Sequence, residues 1–174
     1  VVKAVRWLEP TATTHTAGAA LRSLAIVEIQ KRRTGRPSQV LANDLAALVR
    51  ATRTGGYGET LTGWNYVKFR YSWPPLIGMD AGEQAGLKVQ RGYWKLVAGY
   101  WSGLQKADGF ICPPDYKPNP KKAPSPDSTV VGAGSLAICL TRLLDAKAVR
   151  TPDSVEAEPL KRALGWLGEH FTSL

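Results

Sequence analysis

The sequence predicts an all-α fold of antiparallel helix hairpins, on three observations. A small residue and a large aromatic recur at one spacing in Ala4-x-x-Trp7, Ala98-x-x-Trp101 and Ala163-x-x-Trp166. Residues i and i+3 share a helix face, so alanine lets a neighbouring helix approach while tryptophan fills the space beside it. The tetrapeptide Ser23-Leu24-Ala25-Ile26 returns unchanged as Ser135-Leu136-Ala137-Ile138, and Leu76-Ile77-Gly78-Met79 holds the matching place between them. These stretches, rich in Ala, Gly and Leu, read as buried helices. Glycine–aromatic connectors then follow two of the second helices: Gly55-Gly56-Tyr57-Gly58 and Gln105-Lys106-Ala107-Asp108-Gly109-Phe110. Glycine just past a helix end suits a left-handed cap, and the aromatic folds back onto the helix ends.

The elements follow in order. Residues 1–8 read as the tail of an amphipathic helix, the second member of an earlier pair, which suggests a fragment or a part of something larger. Three pairs come next: 13–34 with 38–53, 73–87 with 90–106, and 127–147 with 154–172, giving hairpins over about 13–53, 73–106 and 127–172. Ala46-x-x-Val49 is a candidate fourth copy of the spacing, without its aromatic. Thr13-Thr14-His15-Thr16 reads as a capping cluster for the first helix. Asp127-Ser128-Thr129 and Thr151-Pro152-Asp153 read as N-caps of later ones. The proline-rich stretch from Cys112 to Pro126 is an extended surface loop. Gly132 and Gly134 lie inside a helical pattern and read as packing glycines. Two cysteines cannot define a disulfide framework, and Cys139 reads as small, buried and unreactive within its apolar run.

Composition bounds the class. The 174 residues are 44% hydrophobic and 21% charged, which is globular. No apolar run approaches the roughly 18 residues of a membrane helix. Lys and Arg number 23 against 14 Asp and Glu, a net charge of +9. The excess lies toward the N-terminus, densest at Lys31-Arg32-Arg33-Thr34-Gly35-Arg36. That run reads as a helix C-terminus, where cations meet the negative end of the dipole and Gly35 and Pro37 stop the helix. An anionic partner is the alternative. Nucleic acid is disfavoured, because no exposed aromatics interleave with the basic run.

The stretch Trp101-x-x-x-Gln105-x-x-Asp108-Gly109-Phe110 resembles a degenerate glutamine–tryptophan repeat of squalene–hopene cyclases and protein prenyltransferase subunits. Gly56, Tyr57 and the helices of Trp7, Trp101 and Trp166 fit the same repeat. The tryptophan that would close the motif is absent, with Ile111 or Cys112 in its place. The chain is similar in this to the bacterial prenyltransferase/squalene-oxidase repeat proteins. The resemblance implies an α/α toroid, with the small-residue helices in one ring and the tryptophan helices in the other. A full toroid needs more hairpins than this chain supplies, so the expectation is one part of an assembly.

The chemistry of that family does not come with it. The cyclases hold an acid protonated in an Asp-rich motif, and no Asp-x-Asp-Asp occurs. No Asp-Asp-x-x-Asp supports a magnesium–diphosphate site, and no cofactor is implied. Zinc would need converging ligands. Asp108, Cys112 and His170 are conceivable ligands, but Asp108 reads as a solvated loop acid and His170 as a charge at a helix end. Ala81-Gly82-Glu83-Gln84 resembles a thioester motif with alanine replacing the essential cysteine. His15 beside threonines could act as a base, but the capping role is favoured. No phosphate loop, nucleophile elbow or dinucleotide fingerprint appears, and no catalytic residue is assigned.

One segment reads as a surface. Trp64, Tyr66, Phe69, Tyr71 and Trp73 fall close together, with Lys68 and Arg70 between them. Their partial alternation suggests a short strand or extended loop presenting rings on one side. It is either an insertion packed over the helices or a binding edge for carbohydrate, peptide or a partner subunit. The expected function is a non-catalytic repeat scaffold whose partner is another protein, or further copies of the chain completing the helical ring. A hydrophobic small molecule is a lesser possibility. The alternatives are a polyisoprenoid cyclase or prenyltransferase whose catalytic motifs lie outside this chain, and a toroid that binds or acts on polysaccharide.

Overall fold

A computed structural model describes residue 8 and residues 13–31, 38–52, 54–62, 67–113, 126–144 and 157–171. Among them are six principal helices: α1 (Thr16–Gln30), α2 (Gln39–Ala51), α3 (Phe69–Gln84), α4 (Arg91–Gly103), α5 (Asp127–Leu143) and α6 (Glu158–Phe171). The described residues are helical apart from connectors and two isolated antiparallel bridges, His15 with Thr60 and Gln105 with Ile111. The protein is all-α. No helix among the described residues is long and apolar enough to cross a membrane. The chain divides into two compact units, residues 1–90 and 91–174. The expected hairpin over 73–106 therefore has its two helices in different units.

In the first unit α1 packs on α3 and α2. Its small residues do what the sequence suggested. A Cβ on Gly78 of α3 would stand 2.9 Å from the Ala20 carbonyl oxygen and 3.0 Å from Ala20 Cα, so only glycine allows this approach. One turn on, Gly82 leaves room for the Leu45 side chain of α2. Ala19, Ile26, Leu41, Leu48, Leu76 and Met79 fill the core. The Ser38 side chain caps α2, accepting from the Leu41 amide at 3.2 Å. Leu41, Asp44, Leu45 and Leu48 then form the buried face of α2. Ala46 and Val49 lie on its exposed side, so the candidate fourth copy of the repeat fails. The apolar stripe of α2 follows its leucines instead.

In the second unit α5 packs between α4 and α6. Tyr93, Trp94, Val97 and Trp101 form the buried face of α4. Leu136, Cys139, Ala163 and Trp166 complete the core from α5 and α6. Gly132 lies against Ile111, as a packing glycine should. The Arg91 guanidinium donates to the Leu143 carbonyl at 2.9 Å, a cation at the end of α5.

Each unit closes its connector with the same device. After α2, the Thr52 hydroxyl donates to the Gly56 carbonyl and accepts from the Gly55 amide, and Gly55 turns with φ 92°. The Tyr57 amide two residues on donates to the Ser72 hydroxyl of α3 at 2.9 Å. After α4, Gly109 turns with φ 100°, and the Ile111 amide two residues on donates to the Thr129 hydroxyl of α5 at 3.1 Å. Ser72 and Thr129 are both fully buried. The matching pairs are thus Gly55 with Gly109 and Tyr57 with Ile111, each a fully buried side chain. Phe110, the obvious counterpart of Tyr57 by chemistry, sits one residue off. Removing either hydroxyl leaves a buried amide without its acceptor. Ser72→Ala and Thr129→Val are each expected to lower stability by about 1–3 kcal/mol, read from urea midpoints. An effect below about 0.5 kcal/mol in either would mean that its latch contributes nothing.

Several local expectations are corrected. The first helix ends at Gln30, with Lys31 following and pairing with Glu28 on the exposed surface. The rest of the basic run, residues 32–37, lies outside the described residues. His15 precedes α1 without a side-chain cap, and the Thr16 amide donates instead to the Glu59 carbonyl at 2.9 Å. The connector supplies what the threonine cluster was expected to. Asp127 is the first residue of α5, not its cap, and Thr129 serves the connector. The cap expected at Thr151 or Asp153 lies outside the described residues, as do Trp7 and the proline-rich loop beyond Pro113. The third expected start, at residue 73, is one turn late, because α3 begins at Phe69. Pro74 and Pro75 therefore sit in its second turn, where each lacks the N–H a helix normally uses. The added first turn is held from outside by Tyr57, whose carbonyl accepts from the Lys68 amide at 3.0 Å and whose amide donates to Ser72; within the turn the Ser72 hydroxyl donates to the Lys68 carbonyl at 3.2 Å.

Candidate functional site

The aromatic segment is the first candidate. Trp64 and Tyr66 lie outside the described residues. Phe69, Arg70, Tyr71 and Trp73 belong to the first turns of α3, with Lys68 extended just before them. The expected strand or extended loop is corrected for this part. Residues 69, 71 and 73 step around a helix by about 200° each, so they do not form one row. What the helix brings together is charge and ring. The Arg70 guanidinium carbon lies 4.8 Å from the Tyr71 ring centre and the Lys68 ammonium 5.9 Å from it. These are cation–π distances, with Arg70 exposed and Lys68 and Tyr71 half-buried.

The second candidate is the glutamine motif. Trp101 is fully buried, with its ring edge-on to Tyr100 at 5.3 Å. The Gln105 amide nitrogen donates to the Pro159 carbonyl at 2.8 Å and to the Gly109 carbonyl at 3.2 Å. Two carbonyl acceptors fix which end of the amide points at them. The side chain ties the connector to the first turn of α6. Asp108 accepts from the Phe110 amide at 3.0 Å, folding the tight turn at Gly109. Phe110 then lies 5.2 Å from Trp166, whose indole is stacked on His170 at 3.9 Å. Of the residues that carry the repeat resemblance, Gln105, Asp108, Gly109, Phe110 and Trp166 are brought together here, and their contacts are braces.

The weak metal candidates are each otherwise engaged. Asp108 holds the turn, the Cys112 thiol faces the Pro113 carbonyl at 3.7 Å, and His170 Nδ1 lies 2.8 Å from the Trp166 carbonyl oxygen. Among the described residues no three His, Cys, Asp or Glu side chains gather as a metal site would need. In the thioester-like stretch, Gln84 donates to Asp80 one helical turn back. Both cysteines are free. Burial pushes the Cys139 thiol from its ordinary 9.0 up to about 12. The raised value favours the neutral thiol in the folded chain. Its contribution to stability is therefore constant below about pH 9 and declines between about 9 and 12. A thiol-alkylating reagent at pH 8 is expected to modify half-buried Cys112 in the folded chain and spare Cys139 until the chain unfolds, as peptide mass spectrometry would read. Equal labelling of both would contradict this burial.

One charged cluster was not legible beforehand. Arg22 of α1 grips Asp44 of α2 with two parallel hydrogen bonds, Nε to Oδ2 at 2.8 Å and Nη2 to Oδ1. The side chains are only 12% and 6% exposed. Its signal was an acid placed among the leucines of an amphipathic face, which demands a cation from the helix opposite.

No family model, curated protein or solved structure matches this chain. The prenyltransferase-type resemblance therefore rests on the quoted residues alone. Its tie between Gln105 and α6 is geometry that any helical pair could use.

Proposed function

We propose that the chain is a non-catalytic helical-repeat scaffold of the α/α-toroid type, which binds partner helices, in the simplest case those of further copies of itself. The observation that carries this reading is the use to which the chemically capable side chains are put. Asp44 and Arg22 join α1 to α2, Ser72 and Thr129 hold connectors, Gln105 joins a connector to α6, and Asp108 folds a turn. A repeat built this way presents helix faces to a partner. The outward side of α4 suits such contact. Gly92, Gly99 and Gly103 follow one line along the helix, and a Cβ at any of them would meet nothing within 4 Å. Leu96 lies beside them, 40% exposed.

Helix-interior glycine is about 0.5–1 kcal/mol worse than alanine, so a glycine line facing open space weakens α4 without helping the unit's own packing. The double variant Gly92→Ala/Gly99→Ala is expected to stabilise the chain by about 1–2 kcal/mol in urea titration. Under this proposal it also weakens self-association. Light scattering over a concentration series reads the second effect. An assembly larger than the monomer that the double variant loosens supports the scaffold. A monomer at every concentration, or an assembly unchanged by the substitutions, overturns it.

A further inference from the structure

We draw no further inference here: the strongest candidate, the cation–aromatic patch of Lys68, Arg70 and Tyr71 at the N-terminus of α3, carries nothing because no feature of the structure shows what covers it.

Discussion

Asp44→Ala is expected to destabilise the protein by about 3–5 kcal/mol, the range for a buried ion pair that loses one partner. Asp44 is 4% exposed and receives two hydrogen bonds from Arg22. Truncating the acid leaves a guanidinium that is mostly withdrawn from water and has lost the Asp44 carboxylate. The penalty comes chiefly from keeping that charge out of water without the carboxylate. The intact pair itself has little net value, because desolvating both groups offsets most of their attraction. The contrast appears in Arg22→Met/Asp44→Leu, which removes both charges and keeps much of the volume. It is expected to recover most of the loss. A double-mutant cycle from urea midpoints separates the two terms. If Asp44→Ala changes stability by less than about 1 kcal/mol, the pair is solvent-screened and does not hold α1 to α2.

That pair also marks the limit of what the sequence makes legible. All six helices start and end within four residues of where periodicity and punctuation place them. The repeated Ser-Leu-Ala-Ile segments lie in α1 and α5, with Ser23, Ile26, Ser135 and Leu136 buried. Periodicity reports which face of a helix is apolar. It does not report which helix lies opposite, so Arg22 and Asp44 read as unrelated charges. The expected start of α3 at residue 73 is late for a related reason. Local chemistry puts Pro74 and Pro75 at a helix start, while contacts from Tyr57 and Ser72 sustain a turn before them.

The candidate site was legible as a set of residues and not as a register. Gln105, Gly109, Phe110 and Trp166 do meet. Chemical likeness pairs Phe110 with Tyr57, whereas the hydrogen bonds pair Ile111 with it. The backbone amide reaching a buried hydroxyl fixes the equivalence, and a backbone amide leaves no trace in composition. Any large apolar side chain can fill the pocket behind it.

Gly109 lies close against α6, and Gly109→Ala is expected to lower stability by roughly 3–5 kcal/mol. Two effects combine. With φ at 100°, the backbone holds a conformation that costs a non-glycine residue on the order of 1–3 kcal/mol. The added methyl would also overlap the Arg162 carbonyl and crowd Trp166 Cβ at 3.2 Å. A carbonyl inside a helix cannot swing aside as a side-chain tip can, so overpacking adds about 1–3 kcal/mol. Gly86 separates the two effects. It has φ 95° with nothing within 4 Å of its missing Cβ, so Gly86→Ala should show the conformational part alone, about 1–2 kcal/mol. Relief of the overlap requires the connector to lift off α6, which stretches the Gln105 bond to the Pro159 carbonyl. Hydrogen exchange should then rise at the Phe110 and Ile111 amides, which bond to Asp108 and Thr129 in the native fold. Equal losses for the two glycine variants, with those amides still protected, would mean that the connector does not rest on α6 as described.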